Sequence, residues 1–293
     1  MKQRTIGNVP VSAIGLGAMP LSIEGRPEER QSTAVIHAAL EAGVTLIDTA
    51  DAYHLAGQDE VGHNEELIGR ALRSFGADAA SQVIIATKGG HLRPQRGPWA
   101  QNGHPSYLKE AAKASARRLG VDVIDLYQFH RPDPLVPYAD SIGALADLLE
   151  DGIIRMAGIS NANVAQIKEA NEVLNGRLAS VQNQYSPKFR SSESELALCA
   201  ELGIAFLPWS PLGGISSARD LGSTHEEFAC VGQNHGVSSQ VVALAWELSK
   251  ADVVIPLPGA SRPGSILDSV SAPVLELTPA DLELLDAGSV SRG

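Results

Sequence analysis

The sequence predicts an α/β protein, a single (β/α)8 TIM barrel over residues 1–293 with an N-terminal β-hairpin and extra helices. Strand and helix patterns alternate eight times along the chain, and such alternation is typical of parallel strands joined by helical crossovers. The length of 293 residues also suits eight such units, which usually take roughly 250 residues. We find no linker, low-complexity tract or close internal repeat in the sequence that would divide this domain.

The elements follow one another in a regular order. Residues 4–6 and 9–11 flank Gly7-Asn8 and predict the hairpin. Short β-rich runs predict strands at residues 14–17, 44–47, 83–86, 123–129, 153–159, 179–182, 204–207 and 253–255. Helical spacing of apolar residues predicts helices at residues 31–42, 64–75, 105–119, 141–150, 164–174, 192–201, 238–249, 263–270 and 279–287. The first three of these helices are followed by glycines, which commonly end helices.

Two loops of the predicted barrel are long, at residues 89–104 and 209–236. Long loops in compact domains are commonly functional. Both follow strands, so we expect both at the C-terminal face, where the active sites of such barrels lie.

Composition and charge limit the function classes. A formal net charge of −11 argues against general nucleic-acid binding, which needs a basic footprint. No apolar run reaches transmembrane length, and residues 1–5 lack the apolar segment of a signal peptide, so we expect a cytoplasmic protein away from membranes. Cys199 and Cys230 lack metal-type spacing and are predicted to be reduced and buried. The histidines share no metal-ligand spacing either, and we predict no metal.

Three polar residues follow three successive strands of the predicted barrel. Asp48, Lys88 and His130 end the second, third and fourth strands, and Tyr53 lies in the loop after Asp48. In a barrel these strand ends are neighbours on one rim. Each residue considered alone is more often a rim charge or loop residue, but the four together predict a catalytic site.

These side-chain types suit proton transfer to a carbonyl group. A tyrosine has an unperturbed pKa near ~10, and we predict that a buried Lys88 ammonium lowers the pKa of Tyr53. Asp48 would hold Lys88 protonated and oriented. His130 would donate a hydrogen bond to a carbonyl oxygen, to which Tyr53 delivers a proton as a hydride reaches the carbon.

At this point the chain resembles an aldo-keto reductase along nearly its whole length. It is similar to bacterial-type oxidoreductases of the branch that resembles potassium-channel β-subunits. The resemblance rests on Asp48-Thr49-Ala50 with Tyr53, Ala86-Thr87-Lys88, Gln128-Phe129-His130, Gly158-Ile159-Ser160-Asn161, residues 182–187, Trp209-Ser210-Pro211-Leu212-Gly213 and residues 255–262. It implies that Asp48, Tyr53, Lys88 and His130 are a catalytic tetrad.

The resemblance also implies a nicotinamide coenzyme, NADPH in the first place, with NAD still open. Asp48, Ser160, Asn161, Gln182 and Trp209 resemble residues around the nicotinamide. Further coenzyme contacts are implied at Gly17, Ala18, Met19, Ser210, Pro211, Leu212, Gly214, Ser261, Arg262, Ser265, Asp268 and Ser269. The preference for NADPH rests on Ser261 and Arg262, because a guanidinium matches phosphate oxygens. Ser265 and Ser269 replace side chains that are basic or amide in many relatives.

The partner of the predicted site is a small-molecule carbonyl compound, contacted by Tyr53, His130 and Trp99. Trp99 is equally suited to packing its own loop. Two other functions remain open. One is a cofactor-binding regulatory subunit with slow turnover, and the other is a Schiff-base enzyme with Lys88 as nucleophile. We expect a monomer or a weak homo-oligomer.

Overall fold

The structure is a computed structural model that describes residues 2–76 and 81–288, and all structural statements below concern these ranges. The strands are β1 (Gln3–Ile6), β2 (Val9–Ser12), β3 (Leu16–Gly17), β4 (Leu46–Asp48), β5 (Ile84–Gly89), β6 (His91–Leu92), β7 (Ala100–Gln101), β8 (Ile124–Phe129), β9 (Ile154–Ser160), β10 (Leu178–Gln182) and β11 (Ala205–Phe206). Seven of these strands form one parallel sheet in the order β11-β10-β9-β8-β5-β4-β3. The predicted α/β barrel is confirmed.

Residues 254–259 complete the barrel between its two edge strands. Parallel bridges join Phe206 to Val254 and Trp209 to Leu257 on one side, and Gly17 to Gly259 on the other. Two prolines in this segment, Pro256 and Pro258, have no N–H to donate, but their carbonyls accept hydrogen bonds from Gly15 and Gly17. The strand predicted at residues 253–255 is therefore present as isolated bridges, because proline cannot form a full ladder.

The β1–β2 hairpin covers the other end of the barrel. Ile6 and Val11 are fully buried among apolar side chains of the barrel interior, including Leu46 and Leu126. The backbone N–H of Ser12 donates to the hydroxyl of Thr45, just before β4. This end is closed by packing, so the C-terminal ends of the strands are left for a site.

The helices surround the sheet. They are α1 (Glu29–Glu41), α2 (His63–Phe75), α3 (Pro105–Leu119), α4 (Tyr138–Glu150), α5 (Val164–Val173), α6 (Glu193–Leu202), α7 (Leu221–Thr224), α8 (Glu226–His235), α9 (Ser239–Leu248), α10 (Pro263–Ser269) and α11 (Pro279–Gly288). The largest apolar core lies between these helices and the sheet, with Trp246, Phe206 and Tyr127 among its fully buried side chains.

The two long loops contain structure that the sequence patterns did not predict. The segment from 89 to 104 holds the antiparallel pair β6–β7, and the segment from 209 to 236 holds α7 and α8. Cys199 is buried as predicted, whereas Cys230 is exposed on α8, so the prediction of burial was wrong for Cys230. No helix in the described ranges is long and apolar enough to cross a membrane.

Candidate active site

The parallel register brings the three predicted strand-end residues to one rim. Asp48 ends β4, Lys88 is the second-last residue of β5, and His130 directly follows β8. In the ladder Asp48 pairs with Ala86, and Lys88 pairs with Gln128. The backbone N–H of His130 donates to the carbonyl of Gly89 at 2.9 Å. The sheet thus fixes the separation of the three side chains.

Lys88 is a fully buried cation with three partners. Its Nζ lies 2.7 Å from Asp48 Oδ2, 2.8 Å from the carbonyl oxygen of Thr49 and 3.1 Å from the Tyr53 hydroxyl. Burial alone would lower the pKa of Lys88, but the charges and hydrogen bonds of Asp48 and Tyr53 hold that pKa above its usual value. Lys88 is therefore an ammonium without the free electron pair that a Schiff-base nucleophile requires.

Asp48 is held on both of its oxygens. The second oxygen, Oδ1, accepts hydrogen bonds from the side-chain amides of Gln182 at 2.8 Å and Gln128 at 3.4 Å. Gln128 and Gln182 are both buried. The carboxylate can therefore face Lys88 in only one orientation, as a positioning role requires.

The Tyr53 hydroxyl is poised beside Lys88 in a protonated state. Burial raises the pKa of Tyr53 above 10, while the Lys88 charge opposes this shift without overcoming it. The predicted lowering of the Tyr53 pKa by Lys88 is present, but burial of the phenol has the larger effect, so the net shift is upward. The phenol keeps its proton, so in this structure Tyr53 is suited to donating a proton rather than accepting one.

His130 lies against Tyr53 as a neutral ring. The two ring centroids are 5.8 Å apart in an edge-to-face arrangement. Burial, together with the nearby charge of Lys88, places the pKa of His130 well below 6.5. Its buried Nδ1 has no hydrogen-bond partner in the described part of the chain. A neutral imidazole with one free nitrogen suits hydrogen bonding to an uncharged ligand.

A buried polar group behind Lys88 was missed in the sequence. Glu65 accepts hydrogen bonds from the hydroxyl of Thr87 and from Nε of Arg118, each at 2.6 Å. Burial and the Glu65 charge raise the pKa of Asp51 to about 8. Asp51 lies between Asp48 and Tyr53 in the sequence, so its place at the same rim was predictable. The contact of Glu65 with β5 was not predictable, because it depends on how α2 packs.

The residues predicted to surround the nicotinamide occupy adjacent strand ends. Asn161 donates from its side-chain amide to the carbonyl of His130 at 3.0 Å, and its φ is +56°. Ser160 Oγ donates to the carbonyl of Gln182 at 2.8 Å. Trp209 is half-buried, and its indole Nε1 has no partner in the described ranges.

The loop from Ser210 to Gly214, which contains four of the implied coenzyme contacts, has a backbone suited to binding an anion such as a pyrophosphate. Ser210, Gly213 and Gly214 all have positive φ, at +51°, +82° and +101°, and such turns can aim successive N–H groups at one point. A Cβ added to Gly214 would meet open space. Pro211 and Leu212 lie between these residues. Beside the closing segment 254–259, Gly17 ends β3 and Ala18 and Met19 follow it, and a Cβ on Gly17 would lie 2.7 Å from the Leu257 carbonyl oxygen.

The implied coenzyme contacts from Ser261 to Ser269 lie just before α10 and along it. Arg262 is the N-cap residue of α10 and its side chain is exposed. The Ser261 carbonyl accepts from Gln31, and the Ser269 hydroxyl donates to the carbonyl of Ser265. The carboxylate of Asp268 instead accepts from Ser238, the N-cap of α9. Positive charge is thus available at Arg262, and these residues fit a dinucleotide carrying an extra phosphate.

The β6–β7 hairpin forms an aromatic wall beside His130. Trp99 stacks on His91 with ring centroids 4.5 Å apart, and His91 meets His130 edge-to-face at 4.9 Å. The guanidinium of Arg93 lies 5.0 Å from the Trp99 ring centroid. Trp99, predicted as a substrate contact, is thus joined to the tetrad through His91, which the sequence did not single out.

Arg93 ties this hairpin to two other rim loops. It forms an ion pair with Glu24 at 2.5 Å and donates to the carbonyl of His54. The hydrogen bond from Arg93 lowers the pKa of Glu24 to about 2. Glu24 also accepts from the backbone N–H of Ala56 at 3.0 Å. Loops after β3, β4 and β5 therefore meet at one ion pair.

The barrel holds a buried lysine, aspartate and tyrosine at its C-terminal rim, and sequence comparison gives the family of oxidoreductases to which it belongs. The aldo/keto reductase family model matches residues 13–289, so the chain belongs to the aldo/keto reductase family. An uncharacterized oxidoreductase of Schizosaccharomyces pombe is 34% identical over 285 residues, covering 96% of this chain and 88% of that protein.

Two further comparisons are with a reductase related in sequence and with a solved structure of the same fold. The 6-dehydroglucose reductase of Novosphingobium aromaticivorans is 35% identical over 273 residues, covering 90% of this chain and 87% of that protein. An aldo/keto reductase from Klebsiella pneumoniae, solved with NADP and acetate, has the same fold with a TM-score of 0.81. It is 24% identical, and the match covers 98% of this chain and 94% of the other.

Proposed function

We propose that this chain reduces an aldehyde or ketone to an alcohol with NADPH, with Tyr53 as the proton donor. The observation that carries the proposal is the triple contact of Lys88 Nζ with Asp48, the Thr49 carbonyl and the Tyr53 hydroxyl. A buried ammonium beside a protonated phenol stabilises negative charge on that phenol once its proton has been transferred. A carbonyl oxygen that gains charge is the group such a pair would protonate.

The roles of the chain's own residues follow from their contacts. NADPH, when bound, supplies the hydride. Tyr53 donates its proton to the carbonyl oxygen as that oxygen takes up negative charge, and Lys88 stabilises the resulting phenolate. Asp48 positions Lys88, and neutral His130 hydrogen-bonds the same oxygen and orients the substrate.

Several features support NADPH as the coenzyme. Ser160, Asn161 and Trp209 would hold the nicotinamide, the turns at Ser210 and Gly214 the pyrophosphate, and Arg262 the additional phosphate. Membership of the family and the NADP bound in the Klebsiella structure agree with this choice. A cofactor-binding regulatory subunit would reduce a simple aldehyde only slowly, whereas a carbonyl reductase would turn it over rapidly. Steady-state turnover with a simple aldehyde therefore distinguishes the two functions.

Replacing Tyr53 with phenylalanine tests the proton donor. We expect Tyr53→Phe to lower kcat for aldehyde reduction by about a thousand-fold, since positioned proton transfer typically contributes ~10²–10⁴-fold. NADPH binding, measured by fluorescence titration, should change less than about two-fold, because the phenol acts on the carbonyl. Tyr138→Phe is a matched control, since the Tyr138 hydroxyl is buried without a partner in the described ranges. A near-normal kcat in Tyr53→Phe would refute the assignment.

A further inference from the structure

We propose that His91 is a specificity-determining residue whose imidazole hydrogen-bonds a hydroxyl group on the carbon next to the substrate carbonyl. The inference rests on the proposed carbonyl reduction and adds a substrate class to it, the α-hydroxylated aldehydes and ketones. Three features of His91 support the inference. Its ring lies beside that of His130, its ring nitrogens make no hydrogen bond in the described part of the chain, and the hairpin holds the ring in place.

His91 occupies the next position outward from the catalytic imidazole. Its ring centroid lies 4.9 Å from that of His130, with the planes at 79°. His130 in turn lies beside Tyr53. A carbonyl oxygen bound between Tyr53 and His130 therefore leaves the adjoining carbon near His91. A substituent on that carbon is the part of the substrate that His91 would contact.

The nitrogens of His91 are available to such a substituent. His91 is half-buried, and no hydrogen bond to either ring nitrogen is found within residues 2–76 and 81–288. Burial, together with the Arg131 charge, lowers the pKa of His91 to about 4, so the ring is neutral at physiological pH. A neutral imidazole has one donor and one acceptor nitrogen. A hydroxyl group, itself donor and acceptor, matches this ring better than a carboxylate or an ammonium.

The rest of the hairpin holds the His91 ring in place. Trp99 covers one face of it at 4.5 Å, and Arg93 lies beside the Trp99 ring. At the base, the N–H of Asn102 donates to the Gly90 carbonyl at 3.1 Å, and Ser141 Oγ donates to the Gly103 carbonyl at 2.7 Å. A ring fixed in this way loses little entropy on binding a substrate.

Two aldehydes with the same three carbons test the inference. Glyceraldehyde carries a hydroxyl next to the carbonyl, and propanal carries none. His91→Phe keeps an aromatic ring between Trp99 and His130 but removes both nitrogens. We expect kcat/KM for glyceraldehyde to fall about ten-fold or more in this variant, as for a lost hydrogen bond in a polar site, and that for propanal to change less than about two-fold.

The other outcomes are distinguishable. An equal loss of kcat/KM for both aldehydes would mean that His91 only positions His130. No loss for either aldehyde would mean that His91 makes no substrate contact. Both results overturn the inference while leaving carbonyl reduction in place. Lack of turnover of both aldehydes by the wild-type enzyme with NADPH and NADH would overturn the proposed function and the inference with it. Arg96→Ala, at an exposed position of the same hairpin, is the control and should leave both rates unchanged.

Discussion

Lys88 and Glu247 are both fully buried ionisable side chains, yet their surroundings differ completely. Lys88 has an acid, a carbonyl oxygen and a phenol within 3.1 Å. Glu247, near the end of α9, has no hydrogen-bond partner on either oxygen in the described part of the chain. Lys250, three residues further on, pairs with Asp286 instead. One site stabilises a charge, and the other excludes one.

The difference shows in the pKa of each group. Partners hold the pKa of Lys88 above its usual value against burial, so its charge is retained. Burial without partners raises the pKa of Glu247 well above 4.5 and so favours the protonated carboxyl. A buried charge is therefore kept where it can act on Tyr53. Neither oxygen of the Glu247 carboxyl has a hydrogen-bond partner within residues 2–76 and 81–288, so we expect this group to reduce stability at neutral pH.

Removing the cation should have the largest effect. We expect Lys88→Met to lower kcat/KM by about a thousand-fold and to destabilise the fold by roughly 3–5 kcal/mol, because the buried Asp48 carboxylate loses its counter-charge. Chemical denaturation and steady-state kinetics measure the two effects. Adding Asp48→Asn should restore much of the stability and none of the activity. Unchanged stability in Lys88→Met would show that Asp48 does not depend on the ammonium.

Removing the exposed cation Arg262 should change only the affinity for the coenzyme. We expect Arg262→Ala to weaken NADPH binding by about ten- to a hundred-fold, as for lost hydrogen bonds to a charged group, and NADH binding by less than about three-fold. Lys168→Ala, which removes an exposed positive charge from α5, controls for the overall field. Equal weakening of both coenzymes by Arg262→Ala would remove Arg262 from the phosphate site.

Replacing the unpaired acid should have the smallest and opposite effect. Because the folded-state pKa of Glu247 is raised, the unfolded chain releases this proton first, and stability falls as pH rises from about 4.5 to the folded-state pKa. We expect the gain in the free energy of unfolding from Glu247→Leu to be roughly 1–3 kcal/mol larger at pH 8 than near pH 4, because each unit of pKa shift corresponds to about 1.4 kcal/mol. Denaturant unfolding at both pH values measures this. Glu201→Gln, at an exposed position, should show no such pH-dependent gain, and an equal gain at both pH values in Glu247→Leu would contradict the explanation.

The sequence was informative wherever local pattern and barrel topology together determine position. Asp48, Lys88 and His130 each follow a recognisable strand, and parallel strands bring such ends to one rim. Helix 105–119 was predicted with its observed bounds because Pro105 and Gly120 mark its ends. The sequence predicted an ordinary strand at residues 253–255, within the proline-containing segment that closes the barrel. Its irregular hydrogen bonding was not predictable, since it depends on glycines more than two hundred residues away.

Contacts that depend on three-dimensional packing were not predictable. Glu24 and Arg93 are 69 residues apart, and neither sequence neighbourhood indicates the pairing. The helix around Glu247 has regular apolar spacing, and nothing in it distinguishes a buried glutamate from one at the surface. The net pKa of Tyr53 required the burial of the phenol, which charge type alone does not give.

The seam of the barrel lies where the proposed coenzyme residues begin. Gly15 and Gly17 donate the two hydrogen bonds to Pro256 and Pro258, and a Cβ on either glycine would lie within 2.7 Å of Leu257. Gly17 ends β3 on one side of this seam, and Arg262 follows the closing segment on the other. The first and last parts of the chain must therefore meet correctly before the proposed coenzyme site exists, so a chain still lacking its final quarter has all four tetrad residues but no complete place for the hydride donor.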